Sequence, residues 1–224
     1  MNELCEKYIK IINDMFGEQI SSIIIYGSNI YNVSSSDLDV CLIAENKGSY
    51  DLDRIICETL KFHETYGLKL DEEIPHKNKL VYSFNEIEDT LQNPPFYNNG
   101  QFVINDIVKT KEFLNSEEMK KRLLLNILTT DHLVVGNRLD RIKKYEAKAW
   151  DILLEVVTEY FNLTNPSVLD VLQVLYVNPY TGAEGEMYLG YKKNYTQKQI
   201  YLIKKVEEAM ERRDNNEAYR FVKK

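Results

Sequence analysis

Ile24-Ile25-Tyr26-Gly27-Ser28, followed after a seven-residue spacer by Ser36-Asp37-Leu38-Asp39-Val40, is the stretch on which the reading of this chain turns. It falls within two short apolar, β-branched runs, residues 21–26 and 38–44, which read as neighbouring strands joined by a compact turn region. A strand that ends in glycine can turn sharply because no Cβ is in the way. Backbone N–H groups then come against a phosphate, and the serine that follows adds a hydroxyl donor. If residues 29–31 open a helical turn, its positive end points at the same anion. Asp37 and Asp39 are two apart, so on a strand both project from one face with Cα atoms roughly 6 to 7 Å apart. Leu38 and Val40 then turn the opposite way into the core and hold the acids rigidly. Such a pair suits a two-metal site, where ions about 3.5 to 4 Å apart clamp an attacking and a leaving oxygen. Oxygen ligands of this kind select Mg²⁺, which takes the rest of its shell from water and substrate phosphates.

Outward from that stretch, residues 2–16 carry Leu4, Tyr8, Ile11, Ile12 and Met15 at helical spacing, and Gly17 is a natural stop. Residues 51–66 repeat the pattern through Ile55, Ile56, Leu60 and Phe62 and stop at Gly67. Residues 68–74 alternate Leu68, Leu70, Glu72 and Ile74 against Lys69, Asp71 and Glu73, which predicts a third strand. After Asn93-Pro94-Pro95 the texture changes to long helical patterns at 116–128, 139–161 and 196–213, with a shorter one at 167–176 and little strand signal. The expected organisation is therefore an α+β domain over residues 1–105 and a helical domain over residues 106–224.

Gly27-Ser28 and Ser36-Asp37-Leu38-Asp39-Val40 together resemble the DNA polymerase beta-like nucleotidyltransferase superfamily, whose hallmark is a strand, Gly-Ser, a spacer, then Asp-x-Asp on the next strand. The match covers about the first third of the chain. Asn29 stands where many members carry arginine. The resemblance implies a mixed-sheet catalytic domain that moves a nucleoside monophosphate from an NTP, ATP among them, to an acceptor and releases pyrophosphate. It also implies a third acidic residue on a later strand. Asp71 and Glu73 share a face of the expected third strand and are its candidates, with Asp71 favoured for its shorter, stiffer side chain. Asp51 and Asp53 are a rival pair two apart, but they open a helix, where acids complement the dipole.

In the working assignment Gly27 and Ser28 hold the phosphates, while Asp37, Asp39 and Asp71, with Glu73 as the alternative, hold two Mg²⁺ ions. The Gly- and Tyr-rich segment 184–193 could close over the nucleotide with Lys192 on the triphosphate, although a plain helix connection with solvated lysines fits it equally well. The resemblance also implies a carboxylate from the helical part as general base, and Glu146, Glu155 and Glu186 are unranked candidates. His63, His76 and His132 have no Cys or Glu at ligand spacing and read as surface or packing residues, so no zinc site is expected.

Bulk composition narrows the substrate. The net charge of −7 lacks the basic footprint that displaces counterions from a duplex, so nucleic acid is disfavoured and a small, basic acceptor is favoured. The competing readings are a toxin-type enzyme that modifies RNA or protein, and a non-catalytic relative that binds a partner. A homodimer is one way to complete the acceptor cleft. Three cysteines with no CxxC spacing, no apolar run of about 20 residues and no signal-like start predict free thiols in a cytoplasmic protein with no membrane contact.

Overall fold

A computed structural model of the chain describes residues 3–27, 37–70, 76–95, 97–98, 101–102, 112, 115–129 and 132–163. The elements run in the order α1 (Glu3–Phe16), β1 (Ile20–Ile25), β2 (Val40–Ala44), α2 (Leu52–Tyr66), α3 (His76–Lys79), β3 (Val81–Ser83), α4 (Phe84–Gln92), β4 (Tyr97–Asn98), β5 (Gln101–Phe102), α5 (Glu117–Thr129), β6 (Leu133–Gly136) and α6 (Leu139–Leu163). The architecture is α+β, built on a small mixed sheet of four strands in the order β3-β2-β1-β6. β1 pairs antiparallel with both β2 and β6, whereas β3 runs parallel to β2. β4 and β5 form a separate two-stranded ribbon.

Every residue of β2 is buried, so the sheet is covered on both faces. One face, formed by Ile23, Ile25, Val40 and Leu42, packs against the apolar stripe of α1 (Cys5, Tyr8, Ile9, Ile12, Phe16) and against Ile55 and Phe62 of α2. The Tyr8 hydroxyl lies 2.8 Å from Thr59 Oγ1, which itself donates to the Ile55 carbonyl, so the buried tyrosine hydroxyl has a partner between those helices. The opposite face carries Ile24, Cys41, Ile43 and Tyr82, all buried. Tyr82 donates its hydroxyl proton to the Lys120 carbonyl of α5, joining this face to the second helical layer. α5 is apolar on several sides, with Met119, Leu123, Leu124, Leu125, Ile127 and Leu128 all buried, as befits a helix enclosed by neighbours.

The strand expected over residues 68–74 does not exist over its described part, Leu68 to Leu70, which is irregular. Gly67 ends α2 in the left-handed conformation, with its N–H on the Glu64 carbonyl and the Leu68 N–H on the His63 carbonyl. These two bonds make a Schellman motif, in which the residue after the glycine folds back onto the helix. Leu68 packs on the core for that reason, and Leu70 is exposed, so their alternation is not a strand. The place beside β2 is taken instead by β3, three residues that join α3 to α4. β6 arises from the region expected to be helical and pairs with β1, so the sheet draws strands from both sides of the boundary expected near residue 105. Residues 167–176, 184–193 and 196–213 lie outside the described residues.

Candidate metal and phosphate site

The β1–β2 ladder continues one step past its last paired residues, because the Tyr26 N–H donates to the Asp39 carbonyl at 3.1 Å. Asp39 is therefore held in register although the regular strand begins at Val40. Leu38 and Val40 are buried in the α1/α2 core, and the alternating Asp37 and Asp39 are half-buried. Alternation puts Asp39 on the other face of the sheet, beside Tyr26 and at the same end as the turn after β1.

Gly27 supplies that turn with φ +65°. A Cβ at this position would fall on the Asp39 carboxylate, with Asp39 Cγ only 2.8 Å away. The missing side chain is thus the space that the acid occupies. Positive φ and direct packing both demand glycine here, and together they bring a backbone turn and a carboxylate into van der Waals contact. Ser28, the hydroxyl donor expected next to it, lies outside the described residues.

Asp37 stands at a different boundary. Its negative charge reaches the ring of His63 on α2, as does the positive charge of Lys79. Burial pushes the His63 imidazole below its ordinary range; the contact of Nδ1 with the Lys69 carbonyl opposes this, Lys79 adds to it and Asp37 opposes it. His63 is accordingly a packed residue in the last turn of α2. Sequence spacing did not show this neighbourhood, because His63, Lys79 and Asp37 meet only through the α2–α3 connection.

Asp37 and Asp39 have the chemistry of ligands for a hard divalent cation: two half-buried carboxylates on either side of the buried Leu38, of which Asp39 packs against the Gly27 turn. Among the described residues no group of three or more His, Cys, Asp or Glu side chains gathers at ligand spacing. The candidates for the third carboxylate, Asp71 and Glu73, lie outside the described residues, as do Lys192 and Glu186. Asp51, the rival acid, is the N-cap of α2 and accepts from the Arg54 N–H at 3.1 Å, the structural role expected of it.

Of the base candidates, Glu146 lies on α6 with its Oε1 3.0 Å from His132 Nε2, and Glu155 is exposed farther along the same helix. The three cysteines are reduced, with no disulfide between them: Cys5 and Cys41 are buried, whereas Cys57 is exposed. No described helix is long and apolar enough to cross a membrane. No family model, curated protein or solved structure matches the chain.

Proposed function

We propose that the chain is a Mg²⁺-dependent nucleotidyltransferase of the polymerase-beta-like class, with its catalytic sheet at the N-terminal side and a helical part behind it. It would transfer a nucleoside monophosphate from an NTP to a hydroxyl of a small-molecule acceptor. The observation that carries this reading is the Asp39 carboxylate packed into the space left by Gly27, with Asp37 two residues before it on the same strand approach.

In this reading Gly27 and Ser28 would cradle the triphosphate, and Asp37 and Asp39 with Asp71 or Glu73 would hold two Mg²⁺ ions. Bound Mg²⁺ supplies neutralisation of charge on the phosphates and a lower pKa for the acceptor hydroxyl. The residues of the chain do the positioning. Leu38 and Val40 fix the strand, and Gly27 leaves the space that the Asp39 carboxylate fills beside the turn. As the acceptor oxygen bonds to the α-phosphorus, the bond from that phosphorus to the bridging oxygen breaks and pyrophosphate leaves. The hydroxyl proton would pass to a carboxylate, and of the two described candidates Glu146 is preferred over the exposed Glu155 because His132, next to β6, holds it. The net charge of −7 favours a cationic small acceptor over a polyanion.

Incubation of the protein with α-labelled NTP and total cell extract tests the assignment. Mg²⁺-dependent label in the small-molecule fraction is expected. Label in RNA or protein would support the toxin-type reading, and no metal-dependent NTP binding by calorimetry would support a non-catalytic partner. Asp39→Asn is expected to abolish transfer with the thermal midpoint kept, and near-native turnover in that variant would remove Asp39 from the mechanism.

A further inference from the structure

His132 precedes β6 by one residue, and the last β1–β6 pair is Ile25 with Leu133. One step past the paired residues the Tyr26 N–H still bonds the Asp39 carbonyl on one side, and on the other His132 is the residue that leads into Leu133. Ile23, Ile25, Val40 and Val135 belong to the α1/α2 face, so alternation continued one step past the strand ends directs Asp39, Tyr26 and His132 to the opposite face, in a row at one end of three adjacent strands. Two strand spacings separate the ends of that row, about 10 Å. The interval suits a metal-bound phosphate with an acceptor beside it.

α6 returns along the sheet after β6. Its start is tied at the far end, where Arg138 Nε donates to Glu45 Oε1 at 2.7 Å. Its inward stripe includes Ile142, Ala149 and Ile152, all buried, and Glu146 lies between the first two at helical spacing. A carboxylate on the inward face needs a partner, and His132 Nε2 supplies it at 3.0 Å, with 7% and 28% of the two side chains exposed. A simple clip between β6 and α6 would account for the bond. It would not account for the clip lying in line with Asp39, at the same end of the sheet as the glycine turn.

Resting on the nucleotidyltransferase reading, we infer that His132 is a positioning residue, which holds Glu146 on the metal-bearing face and aims its second oxygen at the acceptor. The His132 Nε2–H donates to Glu146 Oε1 and fixes the carboxylate. Oε2 accepts the acceptor proton as the oxygen–phosphorus bond forms and pyrophosphate departs.

The test uses the full chain and two probes, Mn²⁺ and α-labelled NTP with water as acceptor. The chain has three histidines, so single His→Gln variants assign each imidazole resonance. Mn²⁺ is expected to broaden the His132 ring protons, and Asp39→Asn is expected to abolish the broadening. In the same protein, His132→Phe removes the donor and is expected to lower kcat for pyrophosphate release about 100-fold with KM for the NTP unchanged. His132→Gln, which restores an N–H at a similar reach, is expected to recover to within about tenfold of wild type, an outcome a clip alone would not produce at constant thermal midpoint. Broadening of His63 without His132, or an unchanged kcat in a folded His132→Phe protein, overturns the role of His132 and leaves the metal site standing. Absence of any Mn²⁺ effect in the wild type overturns both.

Discussion

Gly27 and Gly67 share a positive φ and differ in what surrounds it. Both have φ near +60°, yet a Cβ on Gly67 would meet nothing within 4 Å, whereas one on Gly27 would strike the Asp39 carboxylate. The pair therefore separates the conformational cost of a side chain from the loss of a site. Gly67→Ala is expected to cost about 1 kcal/mol of stability, the left-handed penalty alone, with Mg²⁺-NTP binding unchanged. Gly27→Ala should cost at least as much by thermal unfolding, and in calorimetry its Mg²⁺-dependent NTP binding should disappear, because Asp39 has to move. Equal binding by the two variants would show that the space over Gly27 is not part of the site. Of this geometry the sequence announces the glycine, the serine and the alternation of acid with core residue. It does not announce that the glycine's missing Cβ is the seat of the second acid, since that depends on β1 and β2 closing in a particular register.

At the scale of elements, the β3–α4 junction shows how a three-residue strand is held. Ser83 caps α4 and forms a capping box with Glu86, whose carboxylate also takes Lys120 Nζ at 2.7 Å. Burial by itself would raise the Glu86 carboxyl, but Lys120 and Ser83 outweigh it and hold it below its ordinary value of 4.5. A carboxylate favoured by the folded state contributes stability above the ordinary glutamate range and loses that contribution as pH falls through the folded value. Glu86→Gln should cost about 3 kcal/mol near neutrality, because it leaves Lys120, only 11% exposed, without its ion-pair partner. Chemical denaturation repeated down the pH scale should also find a weaker acid dependence in this variant. Ser83→Ala should cost about 1 kcal/mol.

The same junction marks the limit of pattern reading. α1 and α2 are legible to within a residue because long apolar stripes end at Gly17 and Gly67. β1 and β2 are legible as β-branched runs before and after the serines. β3 and β6 span three and four residues and sit between helices, too short for any period to assert itself. The alternation after Gly67 misleads over its described part, Leu68 to Leu70, because a Schellman fold-back places one leucine inward without a strand there. With β6 hidden, nothing in the sequence could rank Glu146 above Glu155, or set His132 apart from the other histidines.

At the scale of the whole molecule, the sheet depends on elements from the C-terminal half of the chain. Ile24, Cys41, Ile43 and Tyr82 are buried on the face toward the second helical layer, and β6 occupies one edge of β1. A fragment of residues 1–105 retains β1, β2 and β3 but lacks β6, α5 and α6. It would expose those four side chains, each large aliphatic one costing about 1.5 to 3 kcal/mol of lost burial. Such a fragment is expected to unfold without a cooperative transition and to bind hydrophobic dyes, whereas the full chain should do neither. A cooperative melt of the fragment would show that the sheet is stable without its second layer.

All three cysteines precede residue 105 and differ sharply in environment. Burial pushes the thiols of Cys5 and Cys41 upward, and neither is open to reagents, while Cys57 lies exposed on α2. The native chain thus carries a single alkylatable sulfur, and unfolding reveals two more. Maleimide stoichiometry counted by mass would read, molecule by molecule, whether the sandwich around the sheet is closed, and a fluorophore placed at Cys57 would ride on the helix whose last turn holds His63, within reach of the Asp37 charge.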